Sequence, residues 1–253
     1  QAGDGDLEAA LPILKTALQK EFPGKMSEAL DYMQSNKLYD FSAEPNKMHA
    51  GYTTILNEYS APFMFINSSD YRQPDTVVHE FGHYYNFYLM PELKWNDNNN
   101  LDAAEIHSQA LELLMQPYYD QFFGADQAEG QKIYSIYSMI SSILQGCAED
   151  EFQQAVFANP DLTLEEVNEL HSEIFYQFTG SELYYEWVEI HHHFETPFYY
   201  VSYATSAISA LEIWAQSLDD RNQALSTYNQ ITQFTTNFKY RDALTSSGMK
   251  DPF

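Results

Sequence analysis

Apolar residues recur along most of this chain at the three- and four-residue spacing of an α-helix, and only briefly at the alternating spacing of a strand. That period predicts helices over 7–21 and 26–36, then over a mostly apolar stretch that runs from Thr76 to Met90 and stops before Pro91. After a polar loop that begins at Trp95, a further helix is predicted over 101–115. Others are expected over 131–157, 164–178, 197–216 and 220–234, with breaks at Asn159-Pro160 and Gly180-Ser181. Two short runs, 51–56 and 63–66, read as strands. The result is a mainly α fold with a small antiparallel β-sheet. With no linker, no repeat period and no run of 18 apolar residues, residues 7–253 are expected to form a single soluble domain. Residues 1–6, small and polar, are expected to be a disordered or processed start.

The apolar helix after Thr76 is interrupted by three groups that do not belong in a core: His79, Glu80 and His83 in the run His79-Glu80-Phe81-Gly82-His83. Buried without partners, such groups cost several kcal/mol or more, so they need each other or a metal ion. Two histidines four residues apart project from one helix face and can reach one zinc ion. Glu80, one residue further round, is placed to act on a water at the metal as general base. Asp75 is expected to cap this helix, and Gly82 to permit close approach of a neighbouring segment.

A catalytic zinc site needs a third protein ligand and an open position for water. In the predicted helix over 101–115, Glu105, Gln109 and Glu112 form a polar stripe on an otherwise apolar element. If this helix packs antiparallel to the His79 helix, Glu105 can complete the ligand set, and Gln109 or Glu112 can orient a ligand from behind. His107 competes as a ligand, but two residues from Glu105 it should lie on the opposite side of the helix.

The HEFGH run followed by Glu105-Ile106-His107-Ser108-Gln109-Ala110-Leu111-Glu112 resembles the thimet oligopeptidase and oligopeptidase F family of zinc metallopeptidases, in which HE(F/L)GH precedes a helix of the form E-x-x-S-x-x-x-E. The stretches Lys47-Met48-His49-Ala50-Gly51-Tyr52 and Ala61-Pro62-Phe63-Met64-Phe65-Ile66-Asn67 resemble the family's strand pair along the active-site groove. His193-Phe194-Glu195-Thr196-Pro197-Phe198-Tyr199-Tyr200-Val201-Ser202-Tyr203-Ala204 resembles its His and Tyr segment across the cleft. The resemblance implies a zincin-like catalytic domain with one Zn²⁺ on His79, His83 and Glu105, Glu80 as general base, and Tyr203, Tyr199 and His193 as oxyanion donors. It also implies oligopeptide substrates, and a further helical N-terminal region in full-length members that these residues do not match. Two local features depart from the family: Tyr84-Tyr85-Asn86 stands where relatives often carry Ala-x-His, and Ile106-His107 occupies small-residue positions.

The third segment also has a local logic. Thr196-Pro197 reads as a helix start, with Thr as cap and Pro in the first helical position. Tyr199 and Tyr203 are then neighbours on one face, able to supply hydroxyl donors to an oxyanion. The internal position of His191-His192-His193 argues against a tag remnant.

Composition narrows the partners. A net charge of −25, with only 12 Lys and Arg, rules against nucleic acid and anionic membrane surfaces, because no basic patch can be assembled. One cysteine, Cys147, excludes an intrachain disulfide and reads as a buried small hydrophobe. Low Lys with abundant Tyr, Asn, Gln and Ser leans toward a secreted or surface protein, whereas the family's better-known members are largely intracellular. The expectation is a zinc endopeptidase for oligopeptides. Its rivals are a weakly active or inactive peptide-binding protein retaining the fold, and a helical domain with an accidental HExxH.

Overall fold

Helices account for most of the computed structural model, which describes residues 7–48, 50–69, 73–90, 103–183, 186–233 and 239–253. Of the features expected above, 1–6, His49, Pro91, the loop at Trp95, the start of the 101–115 helix at Leu101 and Asp102, and Phe234 lie outside the described residues. A 3-10 turn at Leu7–Ala9 leads into α1 (Ala10–Glu21), and α2 (Lys25–Ser35) follows. Their buried Leu11, Leu14, Leu18, Leu30 and Met33 fall at helical spacing and join the main core.

Three strands follow: β1 (Tyr39–Asp40), β2 (Gly51–Leu56) and β3 (Ala61–Ile66). The sheet order is β1-β3-β2. The two predicted strands pair antiparallel, from Gly51 opposite Ile66 to Leu56 opposite Ala61. The sheet is nevertheless mixed, because the two residues of β1 add to β3 in parallel, a pairing too short to leave a sequence period. β3 is therefore the central strand and β2 an edge.

The predicted metal helix is α3 (Pro74–Leu89). Pro74 takes its first position, where a missing N–H costs nothing. Asp75 is consequently inside the first turn and not the cap; its carboxylate accepts from the Thr76 amide at 3.0 Å. The next helix is shorter than predicted. α4 spans Ile106–Leu114, so Glu105 stands at its N-cap position rather than within it.

α3 and α4 contact each other in opposite sequence order, His79 near Glu112 and His83 near Glu105, which makes them antiparallel. Their crossing point is Gly82. A Cβ there would lie 2.5 Å from the His107 carbonyl oxygen and 2.6 Å from Ser108 Cα, so only glycine lets the two backbones meet. Gly82→Ala is expected to destabilise the protein by about 1–3 kcal/mol, because the obstacle is main chain and cannot swing aside. Denaturant unfolding checks this; an unchanged midpoint would mean that the crossing is free to open.

Beyond α5 (Tyr119–Phe123), the 34-residue α6 (Ala125–Ala158) runs roughly 50 Å. α7 (Leu164–Thr179) starts at a capping box between Thr163 and Glu166. Then come α8 (His192–Glu195), α9 (Val201–Asp219), α10 (Arg221–Ile231) and α11 (Tyr240–Ser246). The predicted helix start at Thr196-Pro197 does not form: Thr196 ends α8, and Phe198 at φ 65° turns the chain before α9 begins. Cys147 on α6 is only half-buried, not enclosed. The main core gathers Phe81, Tyr84, Leu111, Leu114 and Tyr228 around α3 and α4, and a smaller cluster of Ala148, Phe152, Ile174 and Phe175 joins α6 to α7. Among the described residues no helix is long and apolar enough to cross a membrane.

Candidate metal and catalytic centre

α3 presents His79 and His83 from one face, and the start of α4 brings Glu105 against them. Glu105 Oε2 lies 3.3 Å from His79 Nε2 and 3.1 Å from His83 Nε2. One ligand atom from each of the three residues falls within 4.8 Å of the others. Around a tetrahedral zinc with bonds of about 2.0–2.1 Å, donor atoms stand roughly 3.3 Å apart. Two imidazole nitrogens and one carboxylate oxygen therefore fit the group that the motif implies, in donor type and in spacing.

The groups behind these atoms hold them in place. Glu112 Oε1 meets His79 Nδ1 at 2.5 Å, as expected for a residue that orients a ligand. The other candidate, Gln109, instead donates to the Tyr203 carbonyl at 3.5 Å. Glu105 accepts from Ser108 Oγ at 2.9 Å through Oε2 and from the Tyr199 hydroxyl at 2.6 Å through Oε1. His107 is not on the far side but against His83. Its Nε2 lies 3.0 Å from His83 Nδ1. With Nε2 of His83 toward the cluster, its Nδ1–H donates to His107, which must then be neutral. Burial and the neighbouring His83 indeed hold His107 well below its ordinary pKa.

The electrostatics follow from this crowding. Burial alone would neutralise Glu105, but His83 and His79 outweigh it and keep its carboxyl well below the usual range. For His79, burial opposes protonation, while Glu105 and Glu112 raise its pKa well above the ordinary value. Asp75 is pushed up to about 6 by burial and then by the charge of Glu112.

Glu80 is bonded to the sheet and senses the charges of His83, His79 and Glu105. Its side chain is buried, and Thr53 Oγ on β2 donates to Oε2 at 2.8 Å. Burial raises its pKa, against the lowering influence of His83, His79 and Thr53. A carboxylate with raised basicity, oriented by one hydroxyl, is suited to accepting a proton.

Facing the cluster is the stretch from α8 to the first turn of α9. Tyr199 reaches Glu105, and its ring packs edge-on against Tyr203 with centroids 5.4 Å apart. Burial and then the Glu105 charge raise both phenols well above 10, so they remain neutral donors. His193 does not join them. It is turned to the protein interior, with Nδ1 3.1 Å from the Trp187 carbonyl and Nε2 3.2 Å from Glu149 Oε2. That last pair is close enough for an ion pair but not aligned as a hydrogen bond. His192 faces the tyrosines instead: its Nε2 is 3.5 Å from the Tyr203 hydroxyl and its ring 4.8 Å from that of Tyr199. The run of three histidines contained this residue, but a single turn of helix gives no period from which to read its phase.

No protein-family profile and no curated protein sequence matches the chain. Solved structures do. PZ peptidase A, determined with an inhibitor, matches at a TM-score of 0.88 and 25% identity, over 98% of this chain and 46% of that one. A protein assigned as an oligoendopeptidase F matches at 0.86 and 26% identity, with the same coverage. Another so assigned, from Bacillus anthracis str. Ames, matches at 0.80 and 26% identity, over 98% and 43%. The chain spans less than half the length of each. Over nearly all of its own residues, the chain shares the fold of these oligoendopeptidase F and PZ peptidase structures.

Proposed function

We propose that this chain carries the hydrolytic centre of a zinc-dependent endopeptidase acting on oligopeptides. The observation behind this reading is the convergence of His79, His83 and Glu105 beside the buried carboxylate of Glu80. His79 Nε2, His83 Nε2 and Glu105 would hold the ion, with Glu112, His107, Ser108 and Tyr199 orienting them. A zinc ion there would supply Lewis acidity, polarising the scissile carbonyl and acidifying the attacking water.

The chain's own groups do the rest. Glu80, held by Thr53, takes a proton from the attacking water and passes it to the leaving amine. Tyr203 and His192 donate to the oxygen that gains negative charge, with His192 in the role that the resemblance implies for His193. Tyr199, engaged with Glu105, steadies the ligand set more directly than it serves the substrate. β2 supplies an edge on which an extended peptide can add as a strand. β3, central in the sheet, offers no such edge.

Incubation of the purified chain with zinc and a mixed peptide library tests this reading. Mass spectrometry is expected to find new termini that depend on zinc. Retained peptides without new termini would instead assign the inactive peptide-binding protein.

A further inference from the structure

One stripe of α6 meets His193, Phe198, Tyr200 and Ala204 in the segment that carries His192, Tyr199 and Tyr203. Gly146, Glu149, Gln153 and Phe157 recur at three- and four-residue spacing and so share a helix face. At Gly146 a Cβ would lie 2.8 Å from Ala204 Cβ and 3.1 Å from both the Ala204 nitrogen and the Tyr200 carbonyl oxygen, so α6 and the start of α9 meet almost backbone to backbone.

One turn on, buried Glu149 stands between two histidines, with Oε1 3.2 Å from His171 Nε2 and Oε2 3.2 Å from His193 Nε2. Each ring's Nδ1 faces a main-chain carbonyl, Leu183 for His171 and Trp187 for His193. A carbonyl can only accept, so both Nδ1 atoms carry hydrogens, and each Nε2 is left to face the carboxylate. Gln153 follows. Its Oε1 accepts the Phe198 amide at 2.8 Å, at the residue whose φ of 65° a phenylalanine rarely adopts. Phe157 then covers Phe198, with ring centroids 5.2 Å apart.

We propose that this α6 stripe is the positioning element of the cleft wall: Glu149 and Gln153 fix His193 and Phe198, and so aim His192, Tyr199 and Tyr203 at the His79–His83–Glu105 cluster. The catalytic part of this inference rests on the peptidase reading above. The physical reason is local. His193 and His192 are adjacent on one helical turn and diverge by roughly 100°, so anchoring the first inward turns the second toward the tyrosines. At the other end, the Phe198 amide is held by a side chain instead of by helical bonding, which starts α9 at the register that sets Tyr203.

Replacing Glu149 would strand two buried imidazoles and endanger the fold, so Gln153→Met is the first test. It keeps the side-chain length and removes the acceptor. The zinc-loaded variant is expected to lose kcat by about 10- to 100-fold with KM within about 3-fold, and with zinc content unchanged. Amides in 193–203 should exchange hydrogen about 10-fold faster, while α3 and α4 stay as protected as before. Phe157→Ala, at an exposed site, should change both readouts in the same direction but less, and carries the test if Gln153→Met does not fold. Unchanged exchange and kcat overturn the proposal, as does a loss of kcat that follows loss of zinc. If the unmodified chain cleaves nothing, the peptidase reading fails by itself, and the exchange data alone decide whether α6 holds the wall.

Discussion

Glu80→Gln is expected to lower kcat/KM for peptide cleavage by about 10³- to 10⁴-fold while leaving the zinc content near one ion per chain. The amide is the same size as the carboxyl, and its oxygen can still accept from Thr53 Oγ, which lies 2.8 Å from the native oxygen. Packing under the sheet should therefore survive. What disappears is the ability to accept a proton, and no neighbour replaces it: Glu105 is held between two histidines and Glu112 is taken by His79. Zinc by elemental mass spectrometry, alongside steady-state cleavage of one peptide from the library, separates the two functions. A variant that binds zinc and cleaves at the native rate would falsify the assignment of Glu80 as general base.

Glu105→Ala should act on the other function and abolish metal binding. It removes one of three ligand atoms and leaves the Tyr199 hydroxyl without its carboxylate acceptor, while Ser108 Oγ keeps the Glu105 main-chain carbonyl. In the native chain, zinc at about 1,000 times its dissociation constant should add roughly 4 kcal/mol of stability, read as a rise in melting temperature. The variant is expected to show almost none of this rise and to copurify without metal. Removing the metal from the native protein should, in contrast, leave it folded. The core around Phe81, Tyr84 and Leu111 does not include the ion. Retained metal in Glu105→Ala would show that another group completes the site.

How much of this was legible in the sequence depended on whether a periodic signal was present. The α3 helix was readable because Val77, Val78, Phe81, Tyr84 and Tyr85 mark its buried face and the two histidines its other. Gly82 was readable because a glycine within a helix needs a packing reason, and the α4 backbone supplies it. Glu105 is predicted inside a helix but stands at the N-cap of α4, and His107, expected on the far side, lies 3.0 Å from His83. His192 and His193 could not be told apart because α8 is only one turn long. The start of α9 was missed because Thr-Pro is a strong local signal, and a tertiary contact, Gln153 to the Phe198 amide, overrode it. The two-residue β1 carries too little sequence to have a pattern at all.

The sheet order has a consequence for what this cleft can recognise. β2 is bonded to β3 on one side, and among the described residues no strand pairs with its other side. For the proposed reaction, a guest must bring its own unsatisfied amides and carbonyls to that border. A folded protein has already spent them within its own sheets and helices. On the proposed peptidase reading, the selection exerted by such a border would be against structure, in favour of chains that have lost their fold or never had one.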